Sequence, residues 1–282
     1  MSVISRGLAE ALDETVDQDW AGYGPDRHAV WDRLVERMAT LLPSRVTPAF
    51  LSGVQRLGLR PGGIPSFADL NARLAALTGW RLVGVAGTIP DAAFYTLLAH
   101  RLFPAGVFIR QGHQLDYIEA PDIFHDVFGH APMLTEPVFA DFLEAYARRW
   151  LGARGEAERA ALSRLFWFTV EFGLMRTPAG LRIYGSGIVS SPAETRYCLE
   201  DASPHILRFE PGRVMRTDYF IDDLQPAYFV IDSYAELYDA LGGPLAAVRE
   251  GERLIEPGRL VEGDEVLRAG TQLRTRRAPL RA

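Results

Sequence analysis

Apolar positions recur at helical spacing from Asp26 onward: Val30, Leu34, Met38 and Leu41 share one face, and Pro43 stops the run. Residues 47–57 read as a second helix. Arg60 to Pro65 is a loop rich in glycine and proline. Ser66 with Asp69 resembles a capping box opening a helix whose face carries Leu70, Leu74 and Leu77, and Gly79 closes it. Arg81 to Ala86 reads as a short strand. Pro90 then starts a helix over Ala92 to Leu102, and Ala105 to Arg110 is another strand. Val138 to Trp150 is an amphipathic helix and Glu156 to Met175 a long one. Leu181 to Tyr184, Asp218 to Ile221 and Ala227 to Ile231 are strand-like, and Ser233 to Leu241 is helical. The tally favours an α+β fold, predominantly helical, with small antiparallel sheets in a single catalytic domain. No βαβ alternation or glycine-rich nucleotide loop is apparent. Residues 1–20 form a polar N-terminal segment, frayed or a short helix, 21–247 the domain, and 248–282 a loosely held tail where charge, glycine and proline rise.

Composition narrows the function classes. With 282 residues and 48% apolar content, a substantial core is within reach. A formal net charge of −6 provides no electrostatic footprint for nucleic acid. Every basic side chain is arginine, which reads as composition bias. Cys198 is the only cysteine, so an intrachain disulfide or a cysteine-based zinc site is excluded. The first twenty residues carry acids and lack an apolar run, and no window is apolar for long enough to span a bilayer. The expectation is a cytoplasmic protein with no membrane or nucleic-acid partner.

Candidate chemistry centres on Asp122-Ile123-Phe124-His125-Asp126-Val127-Phe128-Gly129-His130, which holds two of the six histidines. Histidine is the commonest metal ligand. The i, i+5 spacing is unusual: on a regular α-helix these side chains diverge by about 140°. The helix is therefore expected to be irregular here, with His125 in its first turn or one wide π-type turn realigning the pair. The ordinary alternative is two core histidines with satisfied hydrogen bonds. Glu171 is the second clue. It lies in the apolar run Phe166-Trp167-Phe168-Thr169-Val170-Glu171-Phe172-Gly173-Leu174, with Trp167, Phe168 and Leu174 on its own face. A buried glutamate needs a partner. A salt bridge to Arg176 or Arg196 is one solution and a cation is the simpler one. Two imidazoles and a carboxylate suit non-heme iron(II) with open positions, or zinc with a catalytic water. Asp126 is the only carboxylate adjacent to a candidate ligand. The aromatic surroundings (Phe124, Phe128, Phe166, Trp167, Phe168, Phe172) suit a dry pocket for a planar apolar substrate. Arg110, ending an apolar strand, could clamp a carboxylate, or be an ordinary surface arginine. Ser190 and Ser191 follow the glycine-containing turn Tyr184 to Val189, where backbone can approach a ligand closely.

Three segments in register resemble the aromatic amino acid hydroxylases, and most closely the short bacterial phenylalanine hydroxylases: Pro121 to His130, Trp167 to Leu174, and Tyr184 to Ser191. Shorter matches are Thr78-Gly79-Trp80, Gly87-Thr88-Ile89-Pro90-Asp91, Gln114-Leu115-Asp116-Tyr117 and Tyr228 to Ser233, and the resemblance covers roughly residues 20 to 240. It implies an iron(II)- and tetrahydropterin-dependent monooxygenase (tetrahydrobiopterin or a related pterin) that converts L-phenylalanine to L-tyrosine with O2. One oxygen atom would leave on the pterin and the other enter the ring para to the side chain. The resemblance assigns iron to His125, His130 and Glu171. It assigns the reduced pterin to Gly87, Thr88, Ile89 and the ring of Phe94, with Asp126 close by. Arg110 would grip the substrate carboxylate with Ser190 nearby, and Pro121, Trp167 and Gly187 would line the aromatic slot.

The departures have consequences of their own. Phe166 stands where most relatives carry tyrosine, and Ile118 where animal relatives carry threonine. Trp167 resembles the phenylalanine and tyrosine hydroxylases, and Ile221 is apolar where tyrosine hydroxylases carry a charge, so phenylalanine is the expected substrate and tryptophan a minor one. A regulatory domain and a tetramerisation helix are not apparent, so a monomer is expected. A zinc hydrolase on the same ligands, or a binding protein that keeps the pocket without turnover, are the competing readings.

Overall fold

A computed structural model describes residues 3–116, 120–243, 245 and 253–273 of the chain. Two compact units, Met1–Gly152 and Ala153–Ala282, divide it.

In the first unit, α1 (Val3–Leu12) precedes α2 (Pro25–Leu41), which buries Val30, Trp31, Leu34, Val35, Met38 and Leu41 on one stripe. α3 (Pro48–Leu57) begins at a proline behind the N-cap Thr47, whose hydroxyl accepts from Phe50 N. α4 (Phe67–Leu77) begins behind Ser66, which accepts from Ala68 N. β1 (Arg81–Val85), α5 (Asp91–Leu98) and β2 (Leu102–Gly106) then form a parallel pair joined by a helix, in register from Arg81↔Leu102 to Val85↔Gly106. This corrects two expectations. The second strand runs over Leu102–Gly106 and not Ala105 to Arg110, so Arg110 lies in the loop beyond it; Pro104 is tolerated in a two-stranded edge where its missing N–H costs no ladder bond. A βαβ unit is also present, and its pairing is parallel. A wide helical segment, Phe124–His130, follows, and then α6 (Pro137–Leu151), which buries Phe139, Phe142, Leu143, Tyr146 and Trp150.

In the second unit, α7 (Glu156–Phe166) runs into a second wide segment, Trp167–Glu171, and Leu174 already belongs to β3 (Leu174–Thr177). The long helix expected to reach Met175 therefore ends at Glu171. Gly173 marks the break: a Cβ there would lie 2.1 Å from Tyr184 Cζ and 2.3 Å from Thr169 O. β4 (Gly180–Ile183), α8 (Ser186–Val189), α9 (Pro192–Glu200), β5 (His205–Arg208), α10 (Pro211–Met215), β6 (Ala227–Ile231), α11 (Tyr234–Gly242) and β7 (Val266–Arg268) complete the unit. The five strands form a mixed sheet in the order β4-β3-β6-β5-β7, parallel at β3–β6 and β5–β6 and antiparallel at its two ends. The helix-rich α+β class holds, with small sheets that are not wholly antiparallel. Asp218 to Ile221 forms no strand, and Ile221 is 77% exposed. The segment expected to be loosely held from residue 248 contributes β7 to the sheet, and Arg213 on α10 pairs with Asp264 at 2.7 Å. The rest of that segment, at 248–252 and 274–282, lies outside the described residues, as do Tyr117 and Ile118. Among the described residues no helix is long and apolar enough to cross a membrane.

Candidate active site

The wide turn at Phe124–His130 does what the i, i+5 spacing requires. His125 Nε2 and His130 Nε2 face one another 3.2 Å apart, with ring planes at 80°. The same turn sends Phe124 and Phe128 the other way, stacked at 4.9 Å, into a core with Trp31 and Phe50. These two phenylalanines, at 0% and 2% exposure, are packing residues and not the pocket lining expected of them. Phe103 on β2 closes on His130, ring centroids 4.8 Å apart.

Glu171 ends the second wide turn, whose bond runs from Phe172 N to Trp167 O, five residues back, at 2.9 Å. Buried Thr169 donates its hydroxyl to Leu165 O at 2.6 Å, a back-bond that bends helices. The Ser186 hydroxyl lies 2.9 Å from both Val170 O and Glu171 Oε2, which share its one proton. The arginine partners considered for Glu171 are engaged elsewhere: Arg176 with Asp232 at 3.0 Å, and Arg196 with Pro192 O at 3.1 Å. Glycines let the backbone crowd the carboxylate. A Cβ on Gly185 would sit 2.4 Å from Glu171 O, and one on Gly187 3.2 Å from Glu171 Oε2. Ser190 is buried and donates to Ser186 O at 2.8 Å. One donor atom from each of His125, His130 and Glu171 lies within 4.8 Å of the others, the one such group of three among the described residues. Adjacent ligands of an octahedral ion with bonds of about 2.1 Å lie about 3.0 Å apart, close to the spacing of the two imidazole nitrogens. The donor set therefore fits a divalent first-row metal.

Arg110 is no surface arginine. It is 5% exposed, and Asp122 is fully buried beneath it. Asp122 Oδ2 accepts from Arg110 N at 2.9 Å and from Nε at 2.8 Å, while Oδ1 accepts from Nη2 at 2.8 Å and from His125 N at 3.1 Å. Burial pushes the Asp122 pKa up, but the hydrogen bonds and charge of Arg110 outweigh it and hold the carboxyl below its usual range. The other edge of the guanidinium, at Nη1, makes no hydrogen bond among the described residues. Asp122 thus ties a candidate carboxylate clamp to the backbone of a candidate metal ligand. Sequence reading gave it no role, although an acid three residues before a helical ligand has the place of an N-cap. Ser186 was also missed, and nothing but its position between two glycines pointed to it.

The remaining sequence-derived positions have the following surroundings. Asp126 Oδ2 accepts from Gly106 N at the end of β2, 2.7 Å away. Gly87 and Thr88 are exposed and Ile89 half-buried in the loop after β1, and a Cβ on Gly87 would meet nothing within 4 Å. Phe94 on α5 is half-buried, edge-on to Tyr95 at 5.2 Å. Pro121 is exposed. Half-buried Trp167 stacks on Tyr219 at 4.4 Å.

Known proteins resemble this chain in sequence and fold. Residues 18–243 match the family model described as biopterin-dependent aromatic amino acid hydroxylase. The phenylalanine-4-hydroxylase of Caulobacter vibrioides is 50% identical over 263 residues, covering 92% of this chain and 90% of that protein. The crystal structure of Chromobacterium violaceum phenylalanine hydroxylase with bound iron(III) and oxidised 7,8-dihydrobiopterin superposes with a TM-score of 0.88 at 44% identity, covering 95% of this chain and 99% of that one. The same enzyme with iron and phenylalanine bound gives 0.86 at 42% identity, covering 95% and 100%. The chain belongs to the biopterin-dependent aromatic amino acid hydroxylase family.

Proposed function

We propose that this chain acts as the phenylalanine-hydroxylating member of its family: an iron(II)- and tetrahydropterin-dependent monooxygenase that forms L-tyrosine from L-phenylalanine and O2. The observation that carries the reading is the approach of the two imidazole nitrogens to 3.2 Å, with Glu171 completing the donor group. His125, His130 and Glu171 hold the iron on one face, leaving other positions open. Iron and reduced pterin together supply the activation of dioxygen.

The chain's own residues bind and orient. Arg110 offers the substrate carboxylate its open edge while Asp122 holds the opposite edge in place. Trp167, Gly187 and Pro121 border the aromatic slot, and Ser190 stands near the carboxylate. The loop Gly87-Thr88-Ile89 takes the pterin along its backbone, with the ring of Phe94 for stacking and Asp126 beside it. The space around Gly87 and the short Asp126–Gly106 bond support that placement. Phe103 backs His130 with an apolar ring. The protein works as a cytoplasmic monomer, and its single buried cysteine is in keeping with a reducing compartment.

Anaerobic loading with iron(II), then addition of phenylalanine, tetrahydropterin and air, tests the reading. Oxygen-dependent tyrosine is expected, and none from Glu171→Ala. Hydrolytic activity with zinc and no tyrosine with iron would overturn it.

A further inference from the structure

Gln225 lies outside every motif, yet it is fully buried and every polar atom of its side chain is used. Its Nε2 donates to Phe220 O at 2.6 Å and to Asp223 O at 3.0 Å. Its Oε1 accepts from Trp167 Nε1 at 3.3 Å. The amide cannot be turned over: a flip would set two N–H groups against an indole N–H and an oxygen against two carbonyls. Gln225 N in turn donates to Glu194 Oε1 at 3.2 Å, and the Tyr228 hydroxyl donates to the same oxygen. Burial, reinforced by the Glu194 charge, pushes the Tyr228 phenol well above its usual pKa, so it remains a donor. The side chain therefore fastens Trp167 to the 218–224 segment, whose Tyr219 stacks on the indole with planes 18° apart, while the backbone N–H of Gln225 ties the segment to Glu194 on α9.

We propose that Gln225 is a positioning residue for substrate selection: by fixing the indole of Trp167 against Tyr219, it sets the width of the aromatic slot. The proposal rests on the reading of Trp167 as a wall of that slot. A freed indole would tilt off Tyr219, and a slot sized for one six-membered ring would lose its discrimination against a bicyclic side chain. The packing difference involved is small in volume, so the effect is on preference more than on turnover.

The test uses iron-loaded full-length enzyme with tetrahydropterin and compares kcat/KM for phenylalanine and tryptophan. Gln225→Met should lower the phenylalanine preference about three- to tenfold, the scale of one lost buried hydrogen bond, with KM for phenylalanine rising more than kcat falls. Trp167→Phe should shift the preference by itself, and Gln225→Met should add nothing in that background. The Trp167 Nε1–H proton, assigned by its loss in Trp167→Phe, should lose exchange protection in Gln225→Met. If Gln225→Met does not fold, Gln225→Leu replaces it, an apolar side chain that likewise removes the acceptor for the indole N–H, with the same preference shift expected. A folded Gln225 variant with unchanged preference, beside a Trp167→Phe variant that shifts it, overturns the positioning role alone. An unchanged preference in Trp167→Phe overturns the slot reading and the proposal with it.

Discussion

Replacing Asp122 by asparagine tests how the proposed substrate clamp, Arg110, and the candidate metal ligand His125 are joined. The carboxylate accepts four hydrogen bonds, two on each oxygen, and is fully buried with a 5% exposed arginine. An amide has one oxygen. If it takes the place of Oδ2, it keeps Arg110 N and Nε and faces Nη2 and His125 N with a donor. The opposite rotamer reverses the loss. Either way two bonds go and the guanidinium is left buried without a counter-charge. Breaking one partner of such a pair costs about 3–5 kcal/mol. That is a large part of a domain stability of about 5–15 kcal/mol, so the variant should fold but only marginally. Urea unfolding monitored by tryptophan fluorescence provides the measurement. A second arm removes both charges: Arg110→Met with Asp122→Leu should be more stable than either single variant, because neither charge is then stranded. Asp122→Asn within about 1 kcal/mol of the parent would refute the reasoning, since the pair would then be worth no more than an exposed one. KM for phenylalanine should also rise in Asp122→Asn, as the open edge of Arg110 loses its fixed direction.

Ser186→Ala deprives Glu171 Oε2 of its hydroxyl donor, and iron(II) affinity measured by titration should fall about 10- to 100-fold. Gly185→Ala places a methyl 2.4 Å from Glu171 O and 2.5 Å from Gly173 N, both backbone atoms, so a lower melting temperature together with weaker iron binding is expected. His205 is held neutral by burial, which lowers its pKa, and its Nδ1 accepts from Gly270 N at 2.8 Å. The unfolded chain takes up a proton near pH 6.5 that the folded one resists, so stability should fall as pH drops below about 6.5 and level off once the folded imidazole is charged. His205→Gln should flatten that part of the melting-temperature profile, and an unchanged slope would exclude His205 as its source. Phe166→Tyr restores a hydroxyl at the end of α7, and a change in iron affinity or in tyrosine formed per pterin oxidised is expected.

The helices from α2 to α4 were legible because they carry their own punctuation, Pro25 and Pro48 at first turns, Thr47 and Ser66 as caps, and stripes of apolar residues between, whereas α8, α9 and α10 went unread. The wide turn at the histidines was legible from spacing alone, since His125 and His130 cannot share a site on a regular helix. The strands were harder. β3 was read as the end of a helix because Leu174 and Met175 continue an apolar run, and only the crowding around Gly173 interrupts it. β7 depends on Ile206 and Leu207, some sixty residues away in sequence, so no local pattern announces it. Among the site residues, the three metal donors are chemically rare in apolar runs and stood out. Asp122, Ser186 and Gln225 act through hydrogen bonds to other groups, and such partners are set by tertiary contact and not by composition.

Both wide turns end on a candidate metal donor, His130 in one and Glu171 in the other, with His125 at the start of the first, and this makes chain length itself part of the site. Gaining a single residue between His125 and His130 would set their rings about 120° apart on an ordinary helix, with nitrogens that no longer meet. Such an insertion would leave hydrophobic content, charge and most of the core untouched and still yield an apoprotein. An insertion in this short stretch should therefore mimic loss of a ligand.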